Sequence, residues 1–215
     1  MPSIQNLTHS PAQNGVSVLV LSPTRELAMQ IADAARGLLK GRGGDWGVQC
    51  VVGGTNMSTD QKNLANKRAD VLIATPGRLI DLLQNGNLGP KLAQLRCLVL
   101  DEADRLLDAG FRNELLKIMQ ALPDRNRTPR QTLLFSATIP KEVHTIASLA
   151  LLPSHKFITT LTEADNNTHE HVEQFSVVVP PSDILAATLE LIEREQKRQA
   201  ELGGFKSKSQ HGKVN

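Results

Sequence analysis

Short apolar runs alternate with polar loops and amphipathic segments along most of this chain. Runs of about four to eight apolar residues between turn-forming residues predict buried β-strands. Such runs are Val16–Leu21, Val48–Val52, Val71–Ala74, Leu95–Leu100 and Gln131–Phe135. A further run, Lys156–Thr160, predicts a sixth strand.

The segments after these strands carry apolar residues every three or four positions, which predicts amphipathic helices. In the first of them, Leu27, Ile31, Ala35 and Leu38 form the predicted buried stripe. The predicted helices are Glu26–Leu39, Ser58–Lys67, a helix that starts at Thr75-Pro76, Arg105–Leu122, a helix from Pro140 to about Leu149, and Ser182–Leu202.

The repeated order of strand, loop and helix predicts an α/β fold with a parallel sheet, right-handed crossovers and helices on both faces. In such a sheet the loops that follow the strands share one edge, where open α/β sheets bind ligands. Hydroxyl, glycine, arginine and carboxylate residues concentrate in these loops. They are Pro23-Thr24-Arg25, Gly53-Gly54, Thr75-Pro76-Gly77-Arg78, Asp101 to Asp104 and Ser136-Ala137-Thr138.

The loop after the fourth strand carries the strongest chemical signal. Asp101, Glu102 and Asp104 follow the apolar run with no intervening turn residue. Carboxylates at this edge suit a hard cation such as Mg²⁺, and with it the phosphates of a nucleotide. A second interpretation is structural, since Asp101 or Asp104 could cap the following helix and favour its positive end.

Composition narrows the range of functions. The 215 residues carry a net charge of +2, so a nucleic-acid surface would need locally placed Lys and Arg. One Trp and no Tyr argue against a module that stacks bases on aromatic side chains. Cys50 and Cys97 lie inside apolar runs, which favours buried free thiols and an intracellular protein of unassigned compartment. Without a signal peptide or a membrane-length apolar segment, we expect a soluble monomer that binds no membrane.

The loops, in their order and spacing, resemble the motifs of the first RecA-like domain of DEAD-box ATP-dependent RNA helicases, a P-loop NTPase type of fold. The resemblance implies ATP and Mg²⁺ as cofactors. Asp101 would hold Mg²⁺, usually through water, and Glu102 would orient or activate the water that attacks the γ-phosphate. Asp104 would contact the Ser-Ala-Thr motif, whose Ser136 and Thr138 would sense the nucleotide and couple it to RNA strand separation. Taken alone, these two hydroxyls would indicate a simple helix cap.

The remaining loops resemble the RNA-binding face of the family: Pro23, Thr24, Arg25, Gly53, Gly54, Thr75, Pro76, Gly77 and Arg78. Thr24 and Thr75 stand at predicted helix N-termini, where free N–H groups and the helix dipole favour a phosphate. Arg25 and Arg78 would add positive charge, and the glycines would let a ribose or phosphate approach closely. Such contacts do not depend on base sequence and weaken with salt. As isolated features they would be ordinary caps and an ordinary turn.

The chain also departs from the family pattern. It contains no G-x-x-x-x-G-K-[ST] phosphate loop, since Gly212-Lys213 is followed by Val214. We therefore expect an incomplete RecA-like domain over residues 1–160, an interdomain linker over 161–181, and the start of a second RecA-like domain, a helix with a disordered tail, over 182–215. On this interpretation the chain is an interior piece of a helicase and is not catalytic by itself.

Three functions remain open. The favoured one is a fragment of an RNA helicase that binds the RNA backbone and couples ATP hydrolysis to unwinding, with the second RecA-like domain as its partner. The alternative is a non-catalytic module that binds RNA or a protein. A nucleotide-binding α/β protein unrelated to RNA would explain the Asp-Glu pair but not the Pro-Thr-Arg and Thr-Pro-Gly-Arg loops.

Overall fold

The computed structural model describes residues 15–125, 127–138, 141–159 and 176–201. The strands are β1 (Val18–Leu21), β2 (Val48–Val51), β3 (Val71–Ala74), β4 (Cys97–Leu100) and β5 (Gln131–Leu134). The α-helices are α1 (Arg25–Lys40), α2 (Met57–Asn66), α3 (Pro76–Asn85), α4 (Ala103–Asp108), α5 (Arg112–Ala121), α6 (Lys141–Ala150) and α7 (Ile184–Glu201). Short 3₁₀ helices cover Gly89–Leu92 and Pro181–Asp183.

The strands form a parallel sheet in the order β2-β3-β1-β4-β5, which confirms the predicted fold class. Their register is level. Leu21 of β1 pairs with both Ala74 and Leu100, Val51 pairs with Ala74, and Leu100 pairs with Leu134. The strands therefore end at the same height, and the loops that follow them share one edge of the sheet.

Side chains of the central strands alternate between two apolar clusters, one on each face of the sheet. Leu19 and Leu21 belong to the larger cluster, to which helices α2 to α6 contribute their buried residues. Val18 and Val20 point to the other face, where α1 covers the sheet. Helices therefore lie on both faces, and the three central strands, β1, β3 and β4, are buried between them.

The buried stripe of α1 differs from the predicted one. Leu38 is 48% exposed, and Leu27 and Ile31 are only half-buried. The buried positions of α1 are Ala28, Ala32, Ala35 and Leu39. Because successive residues are about 100° apart around a helix, the prediction displaced the stripe by one position for most of its length. The short alanine side chains let α1 lie close to the sheet, which the larger residues would prevent.

The predicted single helix Arg105–Leu122 is wrong, because α4 ends at Asp108 and α5 starts at Arg112. Between them Gly110 has a φ of +80°, a left-handed conformation that favours glycine and ends a helix. The apolar periodicity continues across this interruption because α4 and α5 pack on the same core cluster. The sequence pattern therefore concealed the break.

The predicted sixth strand is also wrong, since residues 156–159 form no strand and Thr160 lies outside the described residues. The predicted helix start at Pro140 lies outside them as well. The chain divides into two compact units, Met1–Phe157 and Ile158–Asn215. The first contains the sheet with α1 to α6, and the second contains α7. The three-part domain division stays a prediction, and most of its linker lies outside the described residues.

Two other features bear on the sequence-based expectations. Cys50 and Cys97 are free thiols, and Cys97 is buried. No helix in the described ranges has the length and apolar character needed to cross a membrane.

At the edge of the sheet, β5 is less buried than the central strands. Among the described residues no strand pairs with its outer backbone edge, and an unpaired strand edge is a route to association.

We predict that Leu98→Ala lowers the free energy of unfolding by about 3 kcal/mol, because this fully buried side chain of β4 would leave a cavity in the larger cluster. The matched control is Leu38→Ala, at an exposed position of α1, which should change it by less than about 0.5 kcal/mol. Equilibrium urea unfolding measures both. Equal effects of the two substitutions would contradict this assignment of the core.

Candidate functional site

The loop after β1 leads into the N-terminus of α1. Pro23 is buried, whereas Thr24 and Arg25 are exposed at the edge of the sheet. The Thr24 Oγ1 accepts a hydrogen bond of 3.2 Å from the backbone N–H of Leu27, so Thr24 is the N-cap of α1. Capping a helix is the ordinary structural role that the sequence analysis gave as the second interpretation of Thr24. Capping and phosphate binding are compatible, because a helix N-terminus has four N–H groups without helical partners.

The loop after β2 lies against Arg25. A side chain on Gly54 would overlap the Arg25 guanidinium, and a Cβ on Gly53 would lie 3.6 Å from it. Gly54 also has a φ of +81°, which other residues adopt only with strain. The N–H of Gly53 donates to the Oγ1 of Thr75 at 3.2 Å, which joins the loop after β3 to the same group. We call Thr24, Arg25, Gly53, Gly54 and Thr75 the glycine–arginine cluster.

The start of α3 gives its residues different environments. Thr75 is buried and makes no side-chain capping bond, and Pro76 is a buried residue of the first turn. Gly77 is half-buried, and no described atom lies within 4 Å of where its Cβ would be. An incoming group could therefore approach the backbone at Gly77 closely.

Arg78 does not add free charge to this face, in contrast to the expectation from sequence. It is 8% exposed and forms an ion pair with Asp60 of α2. It also donates to the Thr55 carbonyl oxygen at 2.8 Å and to the Thr55 Oγ1 at 3.1 Å. Asp60 therefore neutralises the guanidinium inside the protein, where it fixes the segment that follows Gly54.

Sequence reasoning did not single out Asp60 or Thr55. The available signal was weak, because an acid in the first turn of α2 has an ordinary explanation in the helix dipole. Asp60 and Arg78 are 18 positions apart, and only the packing of α2 against α3 shows that both are buried. The Thr55 Oγ1 lies 2.8 Å from the carbonyl oxygen of Val52 and 3.0 Å from Asp60, so this polar group is also attached to the end of the loop after β2.

Asp101 directly follows β4 and is half-buried. Its N–H donates to the carbonyl of Leu21 at 3.0 Å, and its Oδ1 accepts from the N–H of Glu102 at 3.1 Å. Burial raises the pKa of Asp101, the Glu102 N–H lowers it, and the Glu102 charge raises it, for a net increase. A nearby cation would stabilise this poorly hydrated carboxylate.

The surroundings of Asp101 suit an Mg²⁺ ion that keeps most of its water ligands better than an Mg²⁺ ion bound only by protein side chains. Within the described residues, no group of three or more His, Cys, Asp and Glu side chains could hold a metal ion. Mg²⁺ keeps several waters and commonly uses one or two carboxylates together with substrate phosphates. The donor set therefore suits Mg²⁺ that arrives with a nucleotide.

Glu102 is the one non-glycine residue in the described ranges with a positive φ, at 47° with a ψ of 57°. Such left-handed conformations are strained for residues with a Cβ and are concentrated at functional sites. Glu102 occupies the N-cap position of α4 without a side-chain capping bond, so neither Asp101 nor Asp104 fills that role. Its carboxylate pairs with Arg105 at 3.1 Å and is 35% exposed.

Asp104 connects the loops after β4 and β5. Its Oδ2 accepts from the Oγ1 of Thr138 at 2.8 Å, and the Oγ of Ser136 donates to the carbonyl of Thr138 at 2.6 Å. Burial raises the pKa of Asp104, but hydrogen bonds from the hydroxyls of Thr138 and Ser136 and from the backbone N–H groups of Arg105 and Asp104 together lower it by more. Ser136 and Thr138 therefore form hydrogen bonds with Asp104 and with each other. We call Asp101, Glu102, Asp104, Ser136 and Thr138 the carboxylate–hydroxyl group.

We predict that Asp60→Asn lowers the free energy of unfolding by about 3 kcal/mol, because it leaves the buried Arg78 without a charged partner. The matched control, Asp33→Asn, removes a carboxylate that is 77% exposed and paired with Arg36, so it should cost less than about 1 kcal/mol. Urea unfolding measures both variants. Similar costs would show that the buried pair does not hold the loop.

We also predict that Asp101 and Asp104 titrate on opposite sides of the ordinary pKa of 3.8. Asp104, with a lowered pKa, adds stability above 3.8 that is lost as the pH falls through its folded pKa. Asp101 has a raised pKa in the folded state, so its ionised form lowers the free energy of unfolding at pH values above that pKa. This unfavourable contribution disappears as the pH falls through the folded-state pKa of Asp101 and the carboxylate is protonated.

Carboxyl ¹³C NMR between about pH 3 and 6 measures these two pKa values. Thr138→Val should raise the pKa of Asp104, because it removes a donor to the carboxylate, and should leave that of Asp101 unchanged. An unchanged pKa of Asp104 in the Thr138→Val variant would contradict the assigned hydrogen bond between these two residues.

The chain was compared with known protein families and curated proteins. The family model for the DEAD/DEAH box helicase matches residues 1–146. The chain is 44% identical over 181 residues to DEAD-box ATP-dependent RNA helicase 26 of Oryza sativa, an alignment that covers 84% of this chain and 33% of that protein. It is 45% identical over 166 residues to putative DEAD-box ATP-dependent RNA helicase 33 of Arabidopsis thaliana, with 77% and 19% covered.

Solved structures give the same result. The DEAD-box helicase Mss116, bound to single-stranded RNA and UDP-BeF, matches with a TM-score of 0.68 and 29% identity over 88% of this chain and 39% of that one. The yeast DEAD-box splicing factor Prp28 matches with a TM-score of 0.58 and 34% identity over 65% and 33%. The chain spans 33% and 19% of the two curated relatives named above. Its five motif loops lie on one sheet edge, and the chain belongs to the DEAD/DEAH box helicase family.

Proposed function

We propose that this chain is the motif-bearing part of an ATP-dependent RNA helicase, which binds RNA backbone and couples ATP hydrolysis to RNA unwinding. One observation carries the proposal. The glycine–arginine cluster and the carboxylate–hydroxyl group lie on the same sheet edge, and adjacent strands β1 and β4 join them through the Asp101 to Leu21 hydrogen bond. The two curated relatives named above are DEAD-box ATP-dependent RNA helicases, one of them putative, which supports the same function.

The glycine–arginine cluster would contact phosphate and ribose. Arg25 is exposed, and its guanidinium lies against the backbone of Gly53 and Gly54, so its charge would be available to a phosphate of the nucleic-acid backbone. Thr24 and Thr75 stand at the N-termini of α1 and α3. The half-buried Gly77 would extend this surface, and the buried Thr75 and Pro76 would position its backbone. Such contacts bind the phosphate and ribose groups of the RNA and do not involve its bases, so binding would be independent of the RNA sequence. Arg78 has a positioning role through Asp60 and Thr55.

The carboxylate–hydroxyl group would act on the nucleotide. Mg²⁺ bound with ATP neutralises charge on the phosphates. Asp101 would hold that ion through water, and Glu102 would orient the attacking water. The left-handed backbone of Glu102 supports this role, because such strained conformations are concentrated at functional sites.

Coupling between nucleotide and RNA would run through Asp104. Its bond to Thr138 ties the loop after β5 to the loop that holds Asp101 and Glu102. The N–H of Ala103 strengthens this tie by donating to the carbonyl of Phe135 at 2.9 Å. A shift of either loop would therefore be transmitted to the other, with Ser136 and Thr138 as the groups that respond.

ATP hydrolysis needs more than these residues. The 215-residue sequence has no G-x-x-x-x-G-K-[ST] motif, whose N–H groups and Lys bind the nucleotide phosphates. We therefore propose that the chain is not a catalyst by itself, and that a phosphate loop and a second RecA-like domain complete the site in a monomeric helicase.

We predict salt-dependent binding of a labelled ten-nucleotide oligouridylate by the 215-residue chain, measured by fluorescence anisotropy at increasing KCl concentrations. Arg25→Gln should weaken binding and reduce the slope of log K against log salt concentration by about 1, because one phosphate contact is lost. The control Arg36→Gln removes an exposed charge near the other end of α1 and should leave the slope unchanged.

The same preparations should release no phosphate from ATP above background, with or without RNA. Binding that is insensitive to both salt and Arg25→Gln would overturn the proposed RNA face. RNA-stimulated hydrolysis would overturn only the proposal that the chain is not catalytic by itself, so the two parts are tested separately.

A further inference from the structure

The edge of the sheet at which the strands begin is basic, although the whole chain is nearly neutral. The loops that lead into β2, β3, β4 and β5, with the last residue of α1, carry nine of the 24 Lys and Arg residues. They carry three of the 22 Asp and Glu residues: Asp45, Asp70 and Asp124. Nine positive against three negative charges exceed the net charge of +2, so the rest of the chain is net negative. We call these cations the basic edge: Lys40, Arg42, Lys67, Arg68, Lys91, Arg96, Arg125, Arg127 and Arg130.

Hydrogen bonds join these loops into one continuous surface. The N–H of Gly47, before β2, donates to the Oδ2 of Asp70, before β3, at 2.7 Å. The N–H of Ser17, before β1, donates to the Asp70 carbonyl at 2.9 Å, and the Ser17 carbonyl accepts from the N–H of Arg96 at 2.9 Å. The Arg96 carbonyl accepts from the N–H of Gln131, the first residue of β5, at 2.8 Å. Because neighbouring strands lie about 4.8 Å apart, the five strands make this edge about 20 Å long.

The exposed part of this edge is positive as well. Arg68 forms an ion pair of 2.6 Å with the buried Asp70, so these two charges cancel. Arg125 and Arg130 are half-buried and donate to backbone carbonyls, and the proposal below does not need them. The exposed acids of these loops are Asp45 and Asp124. Five cations of the basic edge are exposed to solvent: Lys40, Arg42, Lys67, Arg96 and Arg127.

The helix macrodipole explains little of this charge. Cations are favoured at a helix C-terminus, but the effect is confined to the last turn. Lys40 is the basic residue in the last turn of α1, whereas the last turns of α2, α3, α5 and α6 contain none. The other cations lie in the loops beyond the helices. A surface that serves only solubility would intersperse charges of both signs there, so the excess of one sign indicates a polyanionic ligand.

The chemistry of the basic edge fits a phosphate backbone better than a protein. The centre of a protein interface is apolar and depleted of charge. Within the described residues, no large apolar side chain of these loops is exposed. Six of the nine cations are arginines, whose planar guanidinium matches the geometry of phosphate. We propose that the basic edge binds the phosphate backbone of RNA, as a second surface separate from the motif loops. The choice of RNA among phosphate polyanions rests on the proposed helicase function.

The basic edge and the motif loops lie at opposite ends of the strands. Each strand has four residues, so about 13 Å of strand separates the two edges. This exceeds the Debye length of about 8 Å at physiological ionic strength, so exposed charges at one edge act largely independently of those at the other. RNA bound to the basic edge would keep the chain on its substrate while the motif loops release a strand.

The direct test follows glycine amide signals at both edges by NMR while the ¹⁵N-labelled 215-residue chain is titrated with a ten-nucleotide oligouridylate. Gly44 and Gly89 are exposed at the basic edge, whereas Gly53 and Gly77 belong to the motif loops. We expect saturable shifts at Gly44 and Gly89 that weaken as KCl is added. Absent shifts at these two glycines would overturn the proposal. Shifts there without shifts at Gly53 and Gly77 would support it and contradict the RNA face of the motif loops, so the two proposals are tested separately.

A second polyanion separates RNA from an acidic protein. Decaglutamate carries a similar charge to the oligouridylate, but its carboxylates lie on flexible side chains that must be ordered on binding. It should therefore shift the Gly44 and Gly89 signals only at higher concentrations than the oligouridylate does. If it shifts them at equal or lower concentrations, the basic edge is a surface for acidic proteins and the proposal is wrong.

Double variants locate the surface. Lys67→Gln with Arg127→Gln removes two exposed cations of the basic edge, one before β3 and one before β5. For binding followed at Gly89, the slope of log K against log salt concentration should fall by about 0.7 for each phosphate contact that is lost. The matched control, Lys62→Gln with Lys117→Gln, removes two exposed lysines within α2 and α5 and should leave the slope unchanged. Equal changes in the two double variants would indicate a nonspecific charge effect and overturn the proposal.

Discussion

The level, parallel pairing of β1 with β3 and β4 is the constraint on which the rest of this structure depends. Leu21 stands between Ala74 and Leu100, so the loops after these strands start at the same height. A slip of one residue would exchange the two faces of β1 and place Leu19 and Leu21 against α1 instead of the larger cluster. Burial on both faces therefore fixes the register, and the register brings the motif loops together.

The arginines of the motif loops illustrate how one residue type serves two purposes. Arg25 remains exposed beside Gly53 and Gly54, where its charge is available to a ligand. Arg78 is buried against Asp60, where it holds the loop instead of contacting solvent. The Arg78–Asp60 ion pair has no net charge, so Arg25 is the cation that this surface offers to a backbone of repeating phosphates.

Unfavourable local features concentrate at the opposite end of this edge. Glu102 has a left-handed backbone, and the half-buried Asp101 has a raised pKa. Asp104 is stabilised as a carboxylate by hydroxyls of the next loop. Regular strands hold these residues in place, and departures from low-energy geometry at otherwise regular elements are typical of functional sites.

The sequence by itself determined the order of elements and the identity of the motif loops. Alternation of apolar runs with helical periodicity is a local property, so it located each of the strands β1 to β5 within about two residues. The order of the elements predicted that the loops after the strands share one edge, and the resemblance to DEAD-box helicases predicted that Asp104 contacts the loop of Ser136 and Thr138. The Asp104 to Thr138 bond lies there.

Only the tertiary structure decided which of these residues are accessible. Arg25 and Arg78 have similar local sequence settings, and Asp60, 18 positions from Arg78, makes the difference by pairing with it. Gly110 divides a helix whose apolar pattern continues without interruption, because both halves contact one core. Contacts between distant residues set burial and charge, and periodicity along the chain does not record them.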